Sequence, residues 1–193
     1  ATAGAISAAG TINTTNTQAD LGAVTVNGVN QALVVDTGTG AGALNIASIT
    51  GAGGGGTNDI QLISGTGATT VTGNIGTTID DLTLQENAAS STGAVALQGN
   101  VTAATLLTFG RAYDVSLTGG TVAITDDTNF LNTGTTTLGD ATGDTLTFTG
   151  GLGATAGAIS AAGTINTTDT QADLGAVTVN GVNQVLVVDT GTG

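Results

Sequence analysis

Three observations predict an all-β chain wound as a parallel β-solenoid (β-helix) of irregular rungs. Short β-branched runs recur, each ended by Gly, Asn, Asp or Thr. A 40-residue segment returns almost unchanged later in the chain. Pro, Cys, Met and Trp are absent, and only four residues are aromatic: Phe109, Tyr113, Phe130 and Phe148.

In chain order the β runs are Val24-Thr25-Val26, Leu33-Val34-Val35, Ile60-Gln61-Leu62-Ile63, Leu82-Thr83-Leu84, Val95-Ala96-Leu97, Leu106-Leu107-Thr108-Phe109, Val115-Ser116-Leu117, Val122-Ala123-Ile124 and Leu146-Thr147-Phe148. Most of them alternate apolar residues with Thr, Ser, Ala or Gln, the two-residue period of a strand. No segment holds a 3.6-residue apolar period, and 33 glycines are too many for helices.

A looser echo links these runs: Thr72-Gly73-Asn74-Ile75, Gln98-Gly99-Asn100-Val101, Gly119-Gly120-Thr121-Val122 and Ala162-Gly163-Thr164-Ile165. Ile75, Val101 and Val122 follow one another at a spacing that suits one coil of a solenoid. Rungs of roughly 20–25 residues stacked about 4.8 Å apart would put about six to eight rungs in 153 residues, about 30–38 Å of length. Stacking would place Val, Leu and Ile in inward ladders, Thr, Ser and Asn outside or at corners, and Gly where φ is positive. Pro would remove a ladder donor, so its absence fits uninterrupted sheets.

The alternative is a string of tandem antiparallel β-sandwich modules. Its support is Val24-Thr25-Val26-Asn27-Gly28-Val29, repeated from Val177 to Val182, where Asn-Gly between β runs signals a hairpin. The scarcity of aromatics and the absence of Pro weigh against it.

Residues 1–40 match residues 154–193 at 38 of 40 positions, the exceptions being Asn16 against Asp169 and Ala32 against Val185. The chain therefore divides into one full repeat, 1–153, and the start of the next, 154–193. An array interrupted in mid-repeat leads us to expect a parent protein with more copies.

Leu, Ile, Val and Phe make up 46 of 193 residues, just enough for a thin core of small aliphatics. Fourteen acidic residues face one basic residue, Arg111, for a net charge of −13. Such a chain cannot neutralise phosphates, so no nucleic-acid partner is expected, and anionic lipid repels it. No stretch of about 18 apolar residues occurs, so membrane insertion is not expected either. A Cys-free acidic surface suits a protein that stays soluble outside a cell.

The runs at residues 134–170, GTTTLGDATGDTLTFTGGLGATAGAISAAGTINTTDT, at 117–125, LTGGTVAIT, and at 71–84, VTGNIGTTIDDLTL, resemble the repeat regions of filamentous-haemagglutinin-like and autotransporter-passenger-like bacterial surface proteins. The resemblance implies a parallel β-helix, export to the cell surface, and a role in adhesion, biofilm or fibre formation. It carries over no active-site residues.

Without His, Cys or Lys, most nucleophile–base dyads, zinc sites and Schiff-base chemistry are excluded. Carboxylate pairs remain: Asp80 with Asp81, Asp126 with Asp127, and Asp140 with Asp144. Their ordinary role is that of solvated turn residues, so an enzyme is not expected. Calcium is the better use of oxygen-only ligands at turns. Asp126, Asp127, Asp140 and Asp144 are candidate ligands, as are Asn58 and Asp59 in Gly53-Gly54-Gly55-Gly56-Thr57-Asn58-Asp59-Ile60. That segment resembles a single calcium-binding nonapeptide of RTX proteins, though a Gly-rich loop is its simpler reading.

The resulting expectation is a non-enzymatic structural segment of a secreted bacterial adhesin or extracellular filament. It would associate with itself into fibres and touch host cells, surfaces or matrix polysaccharide. The alternatives are a surface-layer lattice protein and a carbohydrate-active β-helix protein.

Overall fold

The computed structural model describes residues 4–53, 57–76, 78–86 and 89–191. Among them are twenty-three strands and no helix. All strand pairings are parallel, and they join residues one coil apart. The coil is shortest where Ile6 pairs Val24 and longest where Ala32 pairs Asp59. The chain is a β-solenoid of about eight turns, and no antiparallel sandwich is present among the described residues.

Each turn lays strands on three faces. The first face stacks Ala19, Leu44, Thr69, Val95, Val115, Thr136, Ile159 and Val177. The second stacks Ile6, Val24, Ile49, Ile75, Val101, Val122, Leu146, Ile165 and Val188. The expected alignment of Ile75, Val101 and Val122 is thus a single ladder. Strands Ala19–Val26 and Leu44–Gly51 run round the corner between these faces and join them into one sheet. The third face stacks Leu33, Ile60, Leu82 and Leu106, and then, as a separate sheet, Thr128, Leu152 and Ala172.

Each face points two ladders of small apolar side chains into the interior, as Val95 and Leu97, Val101 and Ala103, and Leu33 and Val35 show. Val24, Ile49, Ile75, Val101, Val122, Leu146 and Ile165 are all at most 1% exposed. Burying a Val, Leu or Ile side chain contributes about 1.5–3 kcal/mol, and stacking repeats that gain at every turn. The aromatics fill the later turns: Phe130 and Phe148 meet edge to face at 6.3 Å, both buried.

Corners are held by backbone contact and buried polar side chains. An added Cβ at Gly99 would meet the backbone of Gly73, and one at Gly119 the backbone of Gly99. At another corner the Gln85 amide donates to Ser64 Oγ (3.0 Å) and to the Gly93 carbonyl (2.6 Å), while its oxygen accepts Ser64 N–H (3.1 Å). The Asn27-Gly28 pair, a hairpin signal in isolation, turns the chain from the second face to the third, with Gly28 at φ 102° and Asn30 at φ 55°.

Where the third face breaks between Thr105–Leu107 and Thr128–Asn129, side chains replace the ladder. Thr108 Oγ1 donates to the Asn129 carbonyl (3.2 Å) and accepts Leu131 N–H (2.8 Å). The buried Tyr113 hydroxyl accepts Phe109 N–H (2.8 Å) and donates to the Leu84 carbonyl (3.3 Å). Burial pushes its pKa up.

The two copies of the repeat keep the same local pairings. Ile6–Ala8 bonds Val24–Val26 as Ile159–Ala161 bonds Val177–Val179. Gly10–Asn13 bonds the Leu33–Asp36 stretch as Gly163–Asn166 bonds Leu186–Asp189. Their place on the rod differs. Ile6–Ala8 lies on the second face and Ile159–Ala161 on the first, because among the described residues eighteen strands lie between these starting points, two of them spanning two faces, which fills twenty face positions at three per turn, or six and two-thirds turns. Each element of the second copy therefore sits one face behind its counterpart.

Candidate functional site

The densest chemistry lies on the third face and starts from a break in alternation. Strand Ile79–Leu84 reads Ile-Asp-Asp-Leu-Thr-Leu. Strict alternation would put Ile79 and Leu82 on opposite sides, turning one aliphatic out and one Asp in. The strand resolves this with a bulge: Asn58 pairs Ile79 and Ile60 pairs Leu82, so Asp80 and Asp81 together oppose Asp59. Ile79 and Leu82 are buried, at 5% and 0% exposure, and all three Asp side chains remain half-buried outside.

The three carboxylates lie within 4.8 Å of one another. Asp81 N–H donates to Asp59 Oδ1 at 3.4 Å, tying the two strands across the bulge. Partial burial, and after it the charges of Asp81, Asp59 and Asp126, hold the Asp80 carboxyl above its usual pKa. Three oxygen ligands at this spacing match what a hard cation such as calcium takes, with water completing six to eight ligands.

The other candidate ligands are placed as follows. Asn58 is buried at 0% exposure; its side-chain oxygen accepts Gln31 N–H (3.0 Å) and its amide donates to the Ala52 carbonyl (3.1 Å). Asp126 accepts Thr105 Oγ1 (3.3 Å), and Asp127 accepts the Asn129 amide (2.8 Å). Asp144, 7% exposed, accepts the backbone N–H of Asp140 (2.8 Å) and of Ala141 (2.9 Å), closing a tight turn around Asp140. Gly54, Gly55 and Gly56 of the glycine run lie outside the described residues.

Among the described residues the structure thus gathers Asp59 with Asp80 and Asp81, a set the linear spacing did not assemble. The signal for it was the Ile-Asp-Asp-Leu quartet, which a regular strand cannot accommodate with both aliphatics inside.

Two shallow grooves mark the outer surface. One, of about 420 Å³, is lined by Asp127, Asn129, Gly150, Gly151, Leu152, Gly153, Thr155, Gln171 and Asp173. The other, of about 380 Å³, is lined by Asp20, Leu21, Asn45, Ile46, Ala47 and Thr72. Asp20 and Asp173 are the same repeat position, so one acidic residue borders both grooves. Asp20 accepts the amides of Asn45 (2.8 Å) and Gln18 (2.6 Å), which hold its carboxyl below the usual range.

No known protein family, curated protein or solved structure matches the chain.

Proposed function

We propose that the chain is a structural, non-enzymatic segment of a bacterial extracellular rod, serving as the stalk of a surface adhesin or the body of a filament. The observation that carries this reading is the junction between the two copies of the repeat. Ladders run through it on every face, from the turn of Thr136–Leu138 to that of Val177–Val179, with no linker or break. Tandem copies thereby form one rod and not a chain of beads, and the number of copies sets the reach.

Three further features support it. Of the four aromatics Tyr113, Phe130 and Phe148 are buried and Phe109 is half-buried, so no cluster of exposed rings offers the stacking platform that a sugar-cleaving groove uses. Of the candidate pair Asp140 and Asp144, Asp144 is engaged in holding the backbone N–H groups of Asp140 and Ala141 at a turn. The net charge of −13 keeps rods apart laterally and in solution. A surface-layer lattice is the second reading, favoured by the Asp59–Asp80–Asp81 group, because cation bridging would join such rods side by side.

The test is immunogold labelling of intact, unpermeabilised cells with antibody against this chain, followed by cryo-EM of the labelled material. Labelled fibres with a layer spacing near 4.8 Å along their axis support the rod. Planar arrays that dissolve on chelation move the assignment to the lattice. Label reached only after permeabilisation sinks both.

A further inference from the structure

Where the first copy of the repeat meets the second, the third face carries a notch. Strand pairing aligns Asn129, Gly153 and Asp173 as one outward file, and its middle position has no side chain. Asn129 and Asp173 thus stand two layers apart, about 9.6 Å at the ordinary strand spacing. Gly150 and Gly151 widen the bare floor, and together these residues form the groove of about 420 Å³. Glycine is needed there: an added Cβ at Gly150 would meet the Asp127 backbone, one at Gly153 would meet Asn129 Oδ1, and Gly151 sits at φ 121°.

The walls come from both copies. Asp127 and Asn129 belong to residues 1–153, whereas Thr155, Gln171 and Asp173 belong to the copy that begins at 154. Neither copy builds the groove alone. Its floor strand, Leu152–Ala154, has a paired strand on each side, Thr128–Asn129 and Ala172–Leu174.

We propose that this junction groove is a carbohydrate seat whose ligand is a polysaccharide strand bearing free amines. The proposal rests on the rod reading above and adds the partner and the place that holds it. Acceptors dominate the lining. The Asn129 amide is spent on Asp127 Oδ2 (2.8 Å), which leaves Asn129 Oδ1 over Gly153, Asp127 Oδ1 over Gly151, and the Asp173 carboxylate for a ligand. Such a set calls for donors, and ammonium and hydroxyl groups supply them. The one basic residue of the chain, Arg111, does not line the groove, so its carboxylates favour a cationic ligand and repel an anionic one.

Other occupants fit less well. Calcium holds its oxygens at about 2.3–2.6 Å, so a single ion cannot span a gap of about 9.6 Å. A peptide added as a strand needs a free sheet edge, and this is the face of a closed ladder. Leu152 N–H already donates to the Gln171 carbonyl (2.9 Å) and Thr128 N–H to the Gly151 carbonyl (3.1 Å). What remains is side-chain recognition of hydroxyls and amines, without ring stacking, and one such seat is weak. Each further junction would repeat it about 32 Å along the rod and one face round, so a rod of several copies gains by avidity.

The experiment is isothermal titration calorimetry of the full 193-residue chain, which contains one junction, with a glucosamine hexasaccharide at about pH 6 and about 0.15 M NaCl. The sugar amines are then protonated, and diffuse attraction to the net charge of −13 is screened beyond about 8 Å. The expected result is one binding site per chain. Gly153→Val fills the notch without changing the charge and should weaken binding about tenfold or more. Asp173→Asn, an exposed substitution that leaves the strand intact, should do the same. Asp140→Asn removes the same charge from an exposed turn outside the groove and should leave affinity within about twofold. Melting temperatures verify that each variant is folded. A wild-type chain that does not bind overturns the proposal. So does a folded Gly153→Val chain that binds like wild type, or an Asp140→Asn chain that loses as much as Asp173→Asn, because both mean diffuse attraction to an acidic rod. A hexalysine peptide that binds as tightly and is weakened by the same variants overturns the sugar assignment in favour of a basic peptide. None of these outcomes touches the rod reading, which surface labelling decides, so the two fail separately.

Discussion

Residues 6–36 and 159–189 differ at two positions, yet the molecule treats them differently. In the first copy Val24, Val26 and Val35 are closed off by the turn above; in the second the corresponding Val177, Val179 and Val188 are 38–46% exposed. Both copies hold the same strand pairs, and both keep a left-handed residue at the corner before Thr17 or Thr170: Asn16 at φ 53° and Asp169 at φ 52°. Asn and Asp are the side chains that tolerate this conformation, so the exchange leaves the corner intact. The comparison teaches that local sequence sets which strands pair, whereas burial is a property of position along the stack.

The sharpest way to break that conclusion is to make one substitution in both copies. Val35→Ala removes buried methyl groups beneath a covering turn and should cost about 2–3 kcal/mol. Val188→Ala, at the same repeat position, should stay within about 0.5 kcal/mol. Urea unfolding of the two variants of this 193-residue chain measures the gap, and equal costs would mean that burial does not follow position along the stack.

Glycine offers a second matched pair. Gly10 and Gly163 share φ 87°, but a Cβ at Gly10 meets nothing within 4 Å, while one at Gly163 meets the Asp144 carbonyl. Gly10→Ala should cost about 1–2 kcal/mol from backbone strain alone. Gly163→Ala should cost a further 1–3 kcal/mol or so from the collision. Thermal melts distinguish a difference of this size.

The smallest effects concern charge, and here Asp20 and Asp80 should behave oppositely. The Asp20 carboxyl is held below its ordinary pKa of 3.8 by Asn45 and Gln18. Its contribution is therefore present above pH 3.8 and lost as pH falls through the lower folded value. Asp80 is held above 3.8, so its ionised form burdens the fold at neutral pH, and stability recovers as pH falls through the raised value towards 3.8. Asp80→Asn should stabilise the chain at pH 7 by a few tenths of a kcal/mol, with the gain vanishing below pH 3.8. Asp20→Asn should show no such gain. Millimolar calcium relieves the same repulsion, so the advantage of Asp80→Asn narrows when it is added. Melting temperatures from pH 3 to 7, with and without calcium, check all three statements.

Much of the fold could be read from the residues alone. Alternation in runs such as Val95-Ala96-Leu97 and Val115-Ser116-Leu117 marks strands because one face must be dry, and both runs are strands in full. The spacing of Ile75, Val101 and Val122 identified a true ladder, since the residues that repeat before a β run mark the same corner of successive turns. The run Leu106 to Phe109 overshoots its strand: the strand ends at Leu107, and Thr108 leaves it to bridge the gap in the third face.

The sequence by itself determined the all-β class, the repeat, and the identity of the inward aliphatics, because these depend on two-residue alternation and on copies of one string. Only the tertiary structure decided the three faces, the one-face step between copies, and the meeting of Asp59 with Asp80 and Asp81. The reason is that parallel pairing joins residues one coil apart, and the coil from Ala32 to Asp59 is half as long again as that from Ile6 to Val24. Register across such unequal coils is set by how corners and bulges close in three dimensions, which no local stretch of sequence contains.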